Sequence, residues 1–398
     1  MNEWRDILDD LGPERMLHVY DPAVGLQGVV VVDTTVFGGM CGGGIRMLPD
    51  VSTNEIKCLA RAMTYKFCSA GFPLGGAKSG IWAEPNLGGE KRTVLMKAFG
   101  KAIKPLLQSG LIIGADIGTC AEDLALIHEG AEIPFNYTGL SLQEKEGEPL
   151  ENHATGYGAV VAARAASEFG GFDLRGATVA LEGFGKAGGG AARYLLEAGA
   201  KVVAISTIAE TIYNADGLDV RGLLAARRTL GDKAVSNYAD AQHLDSRQLY
   251  TLPVQVLIPG ARPYVIDRET ATGIKARVIA SIANNPITAE AEEILFSRDV
   301  VVVPDFISNA GGIAIAAIDL LNGTADMVFK VIDGLIDSNT RQILSDARRE
   351  GIAPRRLAEL RAREKVKAAA KASSPVNFEQ ALQALQARFS LQGLVDQA

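Results

Sequence analysis

The sequence predicts an α/β protein of two domains, a mixed α/β domain followed by one built on a doubly wound parallel sheet. Its 398 residues are more than one ordinary hydrophobic core accommodates and are enough for two. From Thr155 onward, apolar β-branched runs alternate with helical stretches, which is typical of a parallel sheet covered by helices on both faces. The balance of 47% hydrophobic and 22% charged residues is that of a globular protein in water.

Charge and composition narrow the class of partner. The formal charge of −7 and the pI near 5.4 oppose nucleic acid or an anionic membrane as the main partner. No apolar run approaches the length of a membrane span, and the acidic start MNEWRDILDDLG predicts neither a signal peptide nor a transit peptide. The cysteines show no CxxC spacing and the histidines no HExxH grouping, so we expect reduced thiols and no metal. These observations predict a cytoplasmic enzyme that acts on a small molecule.

The first domain mixes strand-like runs, over residues 26–32 and 111–113, with helical stretches. Its clearest helix is predicted over residues 52–70. Ser52 and Glu55 fit a capping box, in which Ser52 caps the helix and Glu55 reaches back to the Ser52 backbone. Lys66 points to the edge of the apolar stripe of this helix, and its spacing alone favours a side chain that snorkels along the core. The stripe itself consists of apolar residues at helical spacing: Ile56, Leu59, Ala60, Met63 and Phe67.

Two polar residues stand in glycine-rich surroundings further along the first domain. Lys78 lies in residues 71–81, which we predict to form a loop rich in glycine and proline. A lysine buried near another cation has a lowered pKa and can act as a base, whereas a solvated turn or a phosphate-binding loop is the structural alternative. Asp116 follows the strand-like run 111–113, and its alternative is a turn aspartate bonded to its own backbone. Taken singly, neither residue decides between these interpretations.

The second domain follows from strands and helices that alternate between Thr155 and Pro304. Beyond Gly312 come long helical stretches that we expect to fold back across both domains. We therefore predict a first domain over residues 1–152, completed by helices from 325–398, and a dinucleotide-binding domain over 153–324. The predicted strands are Thr178–Glu182, Lys201–Ser206, Val254–Ile258, Val278–Ile282 and Val300–Val303.

A GxGxxG sequence marks the start of this second domain. It follows the strand 178–182 and opens a predicted helix over 187–198, which is the context that a Rossmann-type dinucleotide site requires. The first glycine would permit the tight turn, the second would let backbone approach the pyrophosphate, and the third would let helix and strand pack closely. The N-terminus of the helix would attract the phosphates. The residues of the turn are Gly183, Phe184, Gly185, Lys186, Ala187 and Gly188.

One element of the usual dinucleotide site is missing. An Asp or Glu commonly ends the second strand and binds the adenosine ribose. Here that strand ends at Ser206 and Thr207, and the nearest acid is Glu210. A 2′-phosphate is therefore not repelled and could accept a hydrogen bond from either hydroxyl, yet no Arg or Lys follows immediately to attract it. The sequence predicts NAD or NADP as cofactor and leaves the choice open.

Seven stretches of the sequence together resemble the glutamate/leucine/phenylalanine/valine dehydrogenase family. They occur in family order between about residues 35 and 370 and are GGGIRMLPDVSTNEIKCLARAMTYK, PLGGAKSGI, GADIGT, ATGYG, GFGKAG, ASIANN and PDFISNAGGI. The resemblance implies reversible oxidative deamination of an L-amino acid to a 2-oxo acid and ammonia, with NAD or NADP. It also implies a symmetric homo-oligomer built through the first domain, and closure of a cleft between the domains during the reaction.

The resemblance implies roles for individual residues of the catalytic centre. Lys78 would activate water and stabilise the carbinolamine, and Asp116 would shuttle protons to and from the substrate amine. Lys66 would bind the substrate α-carboxylate and would keep Lys78 partly neutral by like-charge proximity. Asn309 would help to hold the substrate near its amine.

The nicotinamide end of the cofactor is assigned in the same way. Thr155 and Asn284 would contact it, and Ala283 lies beside Asn284 in the same ASIANN stretch.

The substrate pocket departs from the glutamate-specific pattern. Glutamate-specific members of the family carry a Lys in the loop before GGIR and a Ser in the helix after NAGG, and these positions align with Gly42 and Ala316. Members that act on branched aliphatic side chains tend to fill the same region with Leu and Val, so this chain is closer to the leucine/phenylalanine/valine branch with a roomier pocket. We expect a bulky aliphatic or aromatic substrate, with Gly44 and Gly114 in the pocket and Ile313 as one wall.

Several other functions are compatible with parts of the pattern. A glutamate dehydrogenase or an imine- or amine-specialised reductase would share the fold and the lysines. A 2-hydroxy-acid dehydrogenase needs a histidine base, and His153 beside Glu151 does not follow a strand of the cofactor domain. A non-catalytic nucleotide-binding protein would not need Lys66, Lys78 and Asp116 together.

Overall fold

The structure, a computed structural model, describes residues 8–134, 143–145, 148–371 and six positions between 380 and 390. The chain forms two compact units, residues 1–137 with 359–388 and residues 138–358 with 389–398. These bounds differ from the predicted domains, because residues 138–152 and 325–358 belong with the second unit. The reason for the difference is a packing contact that the sequence pattern does not show, given below with the helices.

The first unit contains a mixed five-stranded sheet. Its strands are β1 (Arg15–Asp21), β2 (Leu26–Val32), β3 (Cys41–Met47), β4 (Gly75–Ile81) and β5 (Leu111–Ala115). They lie in the order β1-β2-β4-β3-β5. The pairs β1–β2 and β2–β4 are antiparallel, and β3 runs parallel to both β4 and β5.

Helices cover both faces of this sheet, and the alternation of β2 shows how. Val29 and Val31 pack with residues of α1 (Thr53–Ala70). Val30 and Val32 point to the other face and pack with α2 (Gly89–Gln108) and α3 (Ala121–Ala131). A strand buried on both faces is continuously apolar, which is why residues 26–32 were recognisable as a strand in the sequence.

The segment predicted as a loop around Lys78 is the strand β4, and all seven of its residues are buried. Its glycines serve close packing, since a Cβ at Gly76 would lie 2.2 Å from the Ala60 carbonyl oxygen and 2.5 Å from the Thr64 Oγ1 of α1. The prediction of a loop was therefore wrong. Glycine here lets a helix approach a strand directly, a use that composition cannot distinguish from a turn.

The second unit is built on a seven-stranded sheet in the order β11-β10-β9-β8-β12-β13-β14. The five strands from β9 to β14 in that order are parallel, whereas β10 and β11 run antiparallel at one edge. This confirms the predicted Rossmann-type parallel sheet and adds an antiparallel pair of edge strands that the prediction did not contain. The strands are β8 (Thr178–Glu182), β9 (Lys201–Ser206), β10 (Thr211–Tyr213), β11 (Gln242–Leu244), β12 (Val256–Ile258), β13 (Val278–Ala280) and β14 (Val301–Val303).

Helices and a short hairpin complete the second unit. The hairpin joins β6 (Glu144–Lys145) to β7 (Glu148–Pro149), and a 3₁₀ helix spans Ser246–Thr251. The helices are α4 (Glu151–Phe169), α5 (Lys186–Glu197), α6 (Val220–Leu230), α7 (Lys233–Ser236), α8 (Arg268–Gly273), α9 (Ala289–Ser297), α10 (Asp305–Ser308), α11 (Gly311–Leu320) and α12 (Ala325–Glu350).

The long helix α12 packs on α4, which explains the boundary between the units. The Tyr157 hydroxyl of α4 donates to Asp333 Oδ2 of α12, and the Tyr157 ring lies edge-on to Phe329 at 5.0 Å. In α13 (Pro354–Lys371), Lys365 Nζ donates to the Cys68 carbonyl oxygen of α1 at 3.0 Å. Of the predicted C-terminal helices, α13 thus belongs to the first unit from Glu359 onward, whereas α12 belongs to the second.

The described residues lack both a membrane-spanning helix and a cluster of metal-ligating side chains. None of their helices combines the length and apolar character that a membrane crossing requires. Within the same ranges, no group of three or more His, Cys, Asp or Glu side chains is placed to hold a metal ion.

Candidate active site

Lys78 and Asp116 form a buried ion pair in the first unit. Lys78 lies in the middle of β4, between β2 and β3, and is 5% exposed. Its Nζ lies 2.8 Å from Oδ2 of Asp116. Asp116 follows β5 directly, in a turn where its backbone N–H donates to Thr119 Oγ1 at 3.0 Å. The structure therefore brings together the two residues to which the sequence assigned proton transfer.

Burial and neighbouring charges shift both members of this pair. Burial lowers the pKa of the Lys78 amine because the charged form loses its hydration; Asp116 opposes this effect and Arg46 adds to it. Burial alone would raise the pKa of Asp116, but the positive charges of Lys78 and Arg46 hold it below its ordinary range. An ionised carboxylate beside a lysine that releases its proton readily is suited to general acid–base chemistry.

Arg46 is a component of this cluster that the sequence reasoning did not single out. It lies in β3, its side chain is 5% exposed, and its Nε lies 3.1 Å from Oδ2 of Asp116. Its Nη1 forms an ion pair with Oε1 of Glu55. A lone cation in the glycine-rich, apolar stretch CGGGIRM was the available signal for it.

The predicted capping box at the start of α1 is only half formed. Ser52 Oγ accepts a hydrogen bond from the Glu55 N–H at 3.1 Å, as expected of the cap. The Glu55 carboxylate, however, is directed to Arg46 and not back to the Ser52 backbone. The expected second half of the box was wrong because an arginine on the adjacent strand competes for the carboxylate, and a charged partner makes the stronger hydrogen bond.

Three glycines were predicted to line the substrate pocket, and they differ in the space around them. A Cβ at Gly44 would lie 2.9 Å from Asp116 Cβ and 3.0 Å from Lys78 Nζ, so this glycine adjoins the Lys78–Asp116 ion pair. A Cβ at Gly42 would make ordinary contacts with Phe67 and Ile112, the nearest at 3.5 Å. A Cβ at Gly114 would meet nothing within 4 Å. Gly42 also lies within β3 and not in a loop.

Lys66 lies in α1, on the helix that packs against β4. It is 7% exposed, so its side chain is enclosed and does not snorkel to the surface. The snorkelling predicted from spacing alone was therefore wrong. Asp116, Arg46 and Glu55 are the charged groups with the largest effects on the pKa of the Lys78 amine, so Arg46 is a like charge beside Lys78 that was not predicted from the sequence.

In the second unit, the glycine turn has the geometry of a phosphate-binding turn. Gly183 has φ +81°, and its N–H donates to the Ser206 carbonyl oxygen at 3.0 Å. A Cβ at Gly188 would lie 2.0 Å from the Gly183 carbonyl oxygen, so the first turn of α5 packs directly on the strand end. At Gly185, by contrast, an added Cβ meets nothing within 4 Å, which leaves backbone accessible to a ligand. A dinucleotide phosphate fits this arrangement.

The remaining residues of the turn are held by side-chain contacts. The Phe184 ring is buried, and the Arg227 guanidinium of α6 lies 5.9 Å from its centroid. Lys186 forms an ion pair with Glu151 at 3.0 Å. Together with Ala187, Lys186 begins the helix, which starts one residue earlier than predicted.

At the end of β9, Ser206 and Thr207 are both buried, and the chain turns into the hairpin formed with β10. The Thr207 N–H donates to the Glu210 carbonyl oxygen at 2.9 Å. The Glu210 carboxylate pairs with His243 Nδ1 of β11, which raises the pKa of the imidazole. The acid nearest to the expected ribose site therefore has a partner within the protein.

A second carboxylate, Glu182, ends β8 immediately before the glycine turn and was not singled out from the sequence. It is 8% exposed and accepts hydrogen bonds from the Tyr250 hydroxyl and from the backbone N–H groups of Gly260 at 3.1 Å and Ala261 at 3.4 Å. Burial raises the pKa of this carboxyl, although these hydrogen bonds oppose the change. Glu182 thus connects the glycine turn to the loop that follows β12.

Asn309 is the centre of a polar group at the end of the parallel sheet. Its Nδ2 donates to the carbonyl oxygens of Ile282 at 3.0 Å and Ala283 at 3.2 Å, and to Asn284 Oδ1 at 2.9 Å. Its Oδ1 is buried and has no hydrogen-bond partner in the described part of the chain. A buried carbonyl oxygen without a donor is costly unless a ligand supplies one, and a substrate amine is such a donor.

Helix α11 begins near this group. Its Gly312 lies opposite Thr155 of α4, where an added Cβ would lie 3.4 Å from the Thr155 Oγ1. Gly312 and Ala316, one helical turn apart, are exposed, whereas Ile313 is 8% exposed. The open face of this helix therefore carries small residues, and Ile313 faces inward.

Comparisons with known proteins agree on one family. The chain is 32% identical over 314 residues to NADP-specific glutamate dehydrogenase A1 of Halobacterium salinarum, which covers 77% of this chain and 74% of that protein. It is 35% identical over 320 residues to glutamate dehydrogenase of Thermotoga maritima, with 76% of each covered. The hetero-hexameric glutamate dehydrogenase of Thermus thermophilus, in its Leu-bound form, has a TM-score of 0.79 at 27% identity and covers 90% of this chain and 89% of its own.

Family models place the two units within one kind of enzyme. The model described as Glutamate/Leucine/Phenylalanine/Valine dehydrogenase matches residues 147–374, and that of the Glu/Leu/Phe/Val dehydrogenase dimerisation domain matches residues 13–132. The chain belongs to the Glu/Leu/Phe/Val dehydrogenase family. Members of this family are oxidoreductases that act on the CH–NH2 group of amino acids with NAD or NADP, so the predicted enzyme class and cofactor class are confirmed. The fold also resembles that of L-tryptophan dehydrogenase from Nostoc punctiforme, with a TM-score of 0.65 at 21% identity, covering 92% of this chain and 98% of its own.

Proposed function

We propose that this dehydrogenase acts on an L-amino acid with a bulky aliphatic or aromatic side chain, which it converts reversibly to the 2-oxo acid and ammonia. The observation that carries the proposal is the absence of a polar side chain at Gly42 and Ala316, the positions aligned with the lysine and serine that hold the substrate side-chain carboxylate in glutamate-specific members. A carboxylate buried there without a partner would lose on the order of several kcal/mol of binding free energy. An apolar side chain has no such requirement.

The proposed chemistry uses Lys78 and Asp116 as proton-transfer groups. When bound, the nicotinamide accepts a hydride from Cα of the amino acid, and the amine becomes an imine. Lys78 removes a proton from the water that attacks the imine carbon, and the lowered pKa of its buried amine favours this role. Asp116, 2.8 Å from the Lys78 amine, would receive that proton from Lys78 and pass it to the departing nitrogen, so that ammonia leaves as the carbonyl forms.

Further residues would bind the substrate and the dinucleotide. Lys66 would bind the α-carboxylate, and the buried Oδ1 of Asn309 would accept a hydrogen bond from the substrate amine. Thr155, Asn284 and Ala283 would contact the nicotinamide end. The glycine turn from Gly183 to Gly188 would hold the phosphates, with the open approach at Gly185 facing them.

The experiment that tests the substrate class is a panel of 2-oxo acids assayed with ammonia and reduced cofactor. We expect phenylpyruvate and 2-oxo-4-methylpentanoate to give a higher kcat/KM than 2-oxoglutarate. Faster turnover of 2-oxoglutarate would overturn the proposal in favour of glutamate, in agreement with the names of the relatives. The variant Gly42→Lys, for which the backbone leaves room, should raise the relative activity toward 2-oxoglutarate, and Gly42→Met serves as its control for size.

The role of Lys78 has its own test. Lys78→Ala should abolish ammonia-dependent oxidation of NADH or NADPH, whereas Lys101→Ala, at an exposed position of α2, should retain the activity of the unmodified enzyme. Undiminished activity of Lys78→Ala would show that another group is the base. Circular dichroism of both variants establishes whether they are folded.

We also propose that both cofactors support turnover. Ser206 and Thr207 end β9 without a carboxylate that would repel a 2′-phosphate, and the Glu210 carboxylate is paired with His243. A single hydroxyl hydrogen bond is worth about 1 kcal/mol, so the kcat/KM values for NADPH and NADH should differ by about tenfold or less. A preference for either cofactor far beyond this ratio would indicate a determinant elsewhere in the site.

A further part of the proposal is a homo-oligomer built through the first unit. The strand β1 lies at the edge of the five-stranded sheet, and Leu17 and Tyr20 on it are 36% and 68% exposed. An edge strand carries backbone groups that can pair with a second chain. The match of residues 13–132 to a domain described as a dimerisation domain supports this assignment.

A further inference from the structure

Arg46, in the first unit, contacts two carboxylates, those of Asp116 and Glu55. It lies in β3, the strand that runs parallel to β4, and pairs in register with Gly80. Its Nε contacts Oδ2 of Asp116 at 3.1 Å, the same oxygen that Lys78 Nζ contacts at 2.8 Å. Its Nη1 contacts Glu55. One carboxylate oxygen therefore receives two cationic donors, of which only the lysine can give up its proton at accessible pH.

Exposure within the cluster separates its inner members from its outer ones. The side chains of Arg46 and Lys78 are 5% and 6% exposed, whereas those of Asp116 and Glu55 are 17% and 30% exposed. The guanidinium is therefore enclosed and depends on the two carboxylates for compensation of its charge. A planar guanidinium with several donors can contact two carboxylates at fixed angles, which a lysine ammonium cannot do.

The Glu55 carboxylate contacts Arg46 instead of capping its own helix. Its position three residues after Ser52 suits it to cap α1, yet its carboxylate turns away from the helix backbone and toward β3. The helix loses half of its capping box, and the arginine gains a second anchor. The guanidinium is therefore held by two different nitrogens, Nη1 at Glu55 and Nε at Asp116.

We propose that Arg46, anchored by Glu55, is a positioning residue that fixes the Asp116 oxygen against the Lys78 amine and supplies the positive charge that allows Lys78 to act as a neutral base. This inference rests on the proposed function of Lys78 as the base. It predicts that the two charges next to the pair act on Lys78 in opposite directions.

The charges that face Lys78 come from three neighbouring elements. Asp116, in the turn after β5, and Glu55, on α1, raise the pKa of the Lys78 amine, whereas Arg46 on β3 lowers it. The helix α1 also carries the buried cation Lys66. Removal of the Arg46 charge therefore makes the Lys78 amine harder to deprotonate, and removal of the Glu55 charge makes it easier.

The test is the pH profile of kcat/KM for oxidative deamination of the amino acid that the unmodified enzyme turns over fastest. The acidic limb of this profile reports deprotonation of the base in the free enzyme. Arg46→Gln should move this limb to higher pH, and Glu55→Gln should move it to lower pH. Arg46→Lys, which retains the charge but not the bridge, should lower kcat on the order of 100-fold while its acidic limb stays closer to that of the unmodified enzyme.

The outcomes separate this inference from the function on which it rests. If Lys78→Ala is inactive and the acidic limb does not move in Arg46→Gln and Glu55→Gln, or moves in the same direction in both, Arg46 has a structural role only and the inference fails. If Lys78→Ala retains full activity, the proposed base itself is wrong. Should Arg46→Gln fail to fold, two other results decide the question. They are the shift of the acidic limb to lower pH expected of Glu55→Gln and the loss of kcat expected of Arg46→Lys.

Discussion

Glu182 is a buried acid next to a site that would bind the phosphates of a dinucleotide. Its carboxylate is the acceptor for two backbone N–H groups and one tyrosine hydroxyl, so it fixes the loop after β12 relative to the glycine turn. Two requirements conflict at this residue, since the loop needs an acceptor and the phosphates disfavour a nearby negative charge. Substitution of Glu182 distinguishes its effect on the stability of the loop from its effect on cofactor binding.

We predict that Glu182→Ala destabilises the second unit and weakens cofactor binding. The N–H groups of Gly260 and Ala261 and the hydroxyl of Tyr250 would lose their acceptor, at about 1–3 kcal/mol for a buried unsatisfied group. Urea denaturation and cofactor titration measure the two effects. Tyr250→Phe, which removes a single hydrogen bond and leaves the carboxylate in place, is the matched control and should cost less.

The pKa of Glu182 gives a pH dependence of stability. Because burial raises this pKa in the folded protein, the carboxyl binds its proton more tightly when folded than when unfolded. Its contribution is therefore fully present below the unfolded pKa and is lost as the pH rises through the folded pKa. We expect Glu182→Gln, which does not titrate, to lose less stability over this rise in pH than the unmodified protein. Parallel melting curves across the same pH range would contradict this expectation.

At the residue scale, the reactive side chains of the site were predictable from the sequence, but not all of their partners were. Lys78 and Asp116 were identified, and the structure brings them into contact. Arg46 was missed as a partner because it and Asp116 are 70 residues apart in the chain, and local pattern rules do not reach that far. Glu55 was given a capping role because the rule that describes it considers the helix alone.

At the scale of single elements, glycines decide what each strand and helix can do. The glycines in β3, in β4 and in the turn before α5 allow another group to come close to the backbone. That group differs from one glycine to the next. It is backbone for Gly43, where a Cβ would lie 1.7 Å from the Ala77 carbonyl oxygen, and a reactive side chain for Gly44. Substitution of each glycine by alanine therefore tests whether the close contact that it permits is needed.

We predict opposite phenotypes for Gly188→Ala and Gly185→Ala. The first places a Cβ 2.0 Å from the Gly183 carbonyl oxygen, so the helix must move off the strand and the second unit should be destabilised. The second adds a Cβ to open space at φ −77°, so the fold should persist while cofactor affinity falls because the phosphates meet the methyl group. Thermal melting and cofactor titration of the two variants distinguish these effects. Equal affinity in Gly185→Ala and the unmodified enzyme would place the phosphates elsewhere.

A second pair of variants concerns β3. Gly44→Ala brings a methyl group to within 2.9 Å of Asp116 Cβ and 3.0 Å of Lys78 Nζ, so it should displace the catalytic pair and lower kcat on the order of 100-fold. Gly42→Ala, two residues earlier on the same strand, makes ordinary contacts and should leave kcat largely unchanged. Steady-state kinetics measures both, and similar kcat values for the two variants would argue against the assignment of Gly44 to the catalytic centre.

The sequence was most informative for elements buried on both faces. The runs 26–32, 178–182 and 201–206 were predicted as strands with the bounds that the structure gives them, since continuous apolar runs leave little choice. The strand β4 was mistaken for a loop because its glycines face a helix. The antiparallel edge strands β10 and β11 were missed because their sequences, TIY and QHL, are not continuous apolar runs.

For the whole molecule, we expect assembly to depend on the exposed edge of the first sheet. We predict that Leu17→Glu and Tyr20→Glu, both on β1, shift the protein toward smaller species, because charges on an edge strand oppose pairing with a second chain. Light scattering coupled to size-exclusion chromatography gives the mass. Ile208→Glu, at an 86% exposed position of the second unit, is the control and should not change it. A monomeric unmodified protein, or variants of unchanged mass, would contradict assembly through β1.

The division into units was the weakest part of the prediction for the whole molecule. The sequence predicted long helical stretches beyond Gly312, but not which apolar surface covers the helix that begins at residue 325. The contact between Tyr157 and Phe329 supplies that information, and it places α12 with the second unit. Amphipathicity specifies that a face is buried without naming its partner.

The open backbone at Gly114 has a consequence for how substrate choice can evolve. A side chain added there meets nothing within 4 Å, and the strand pairing of β5 does not depend on its absence. Lys78 is fixed by a different strand, so mutations at Gly114 can accumulate without disturbing the reactive amine. We expect a small library at this position to sample new substrates by single nucleotide steps while Lys78 keeps its place on β4.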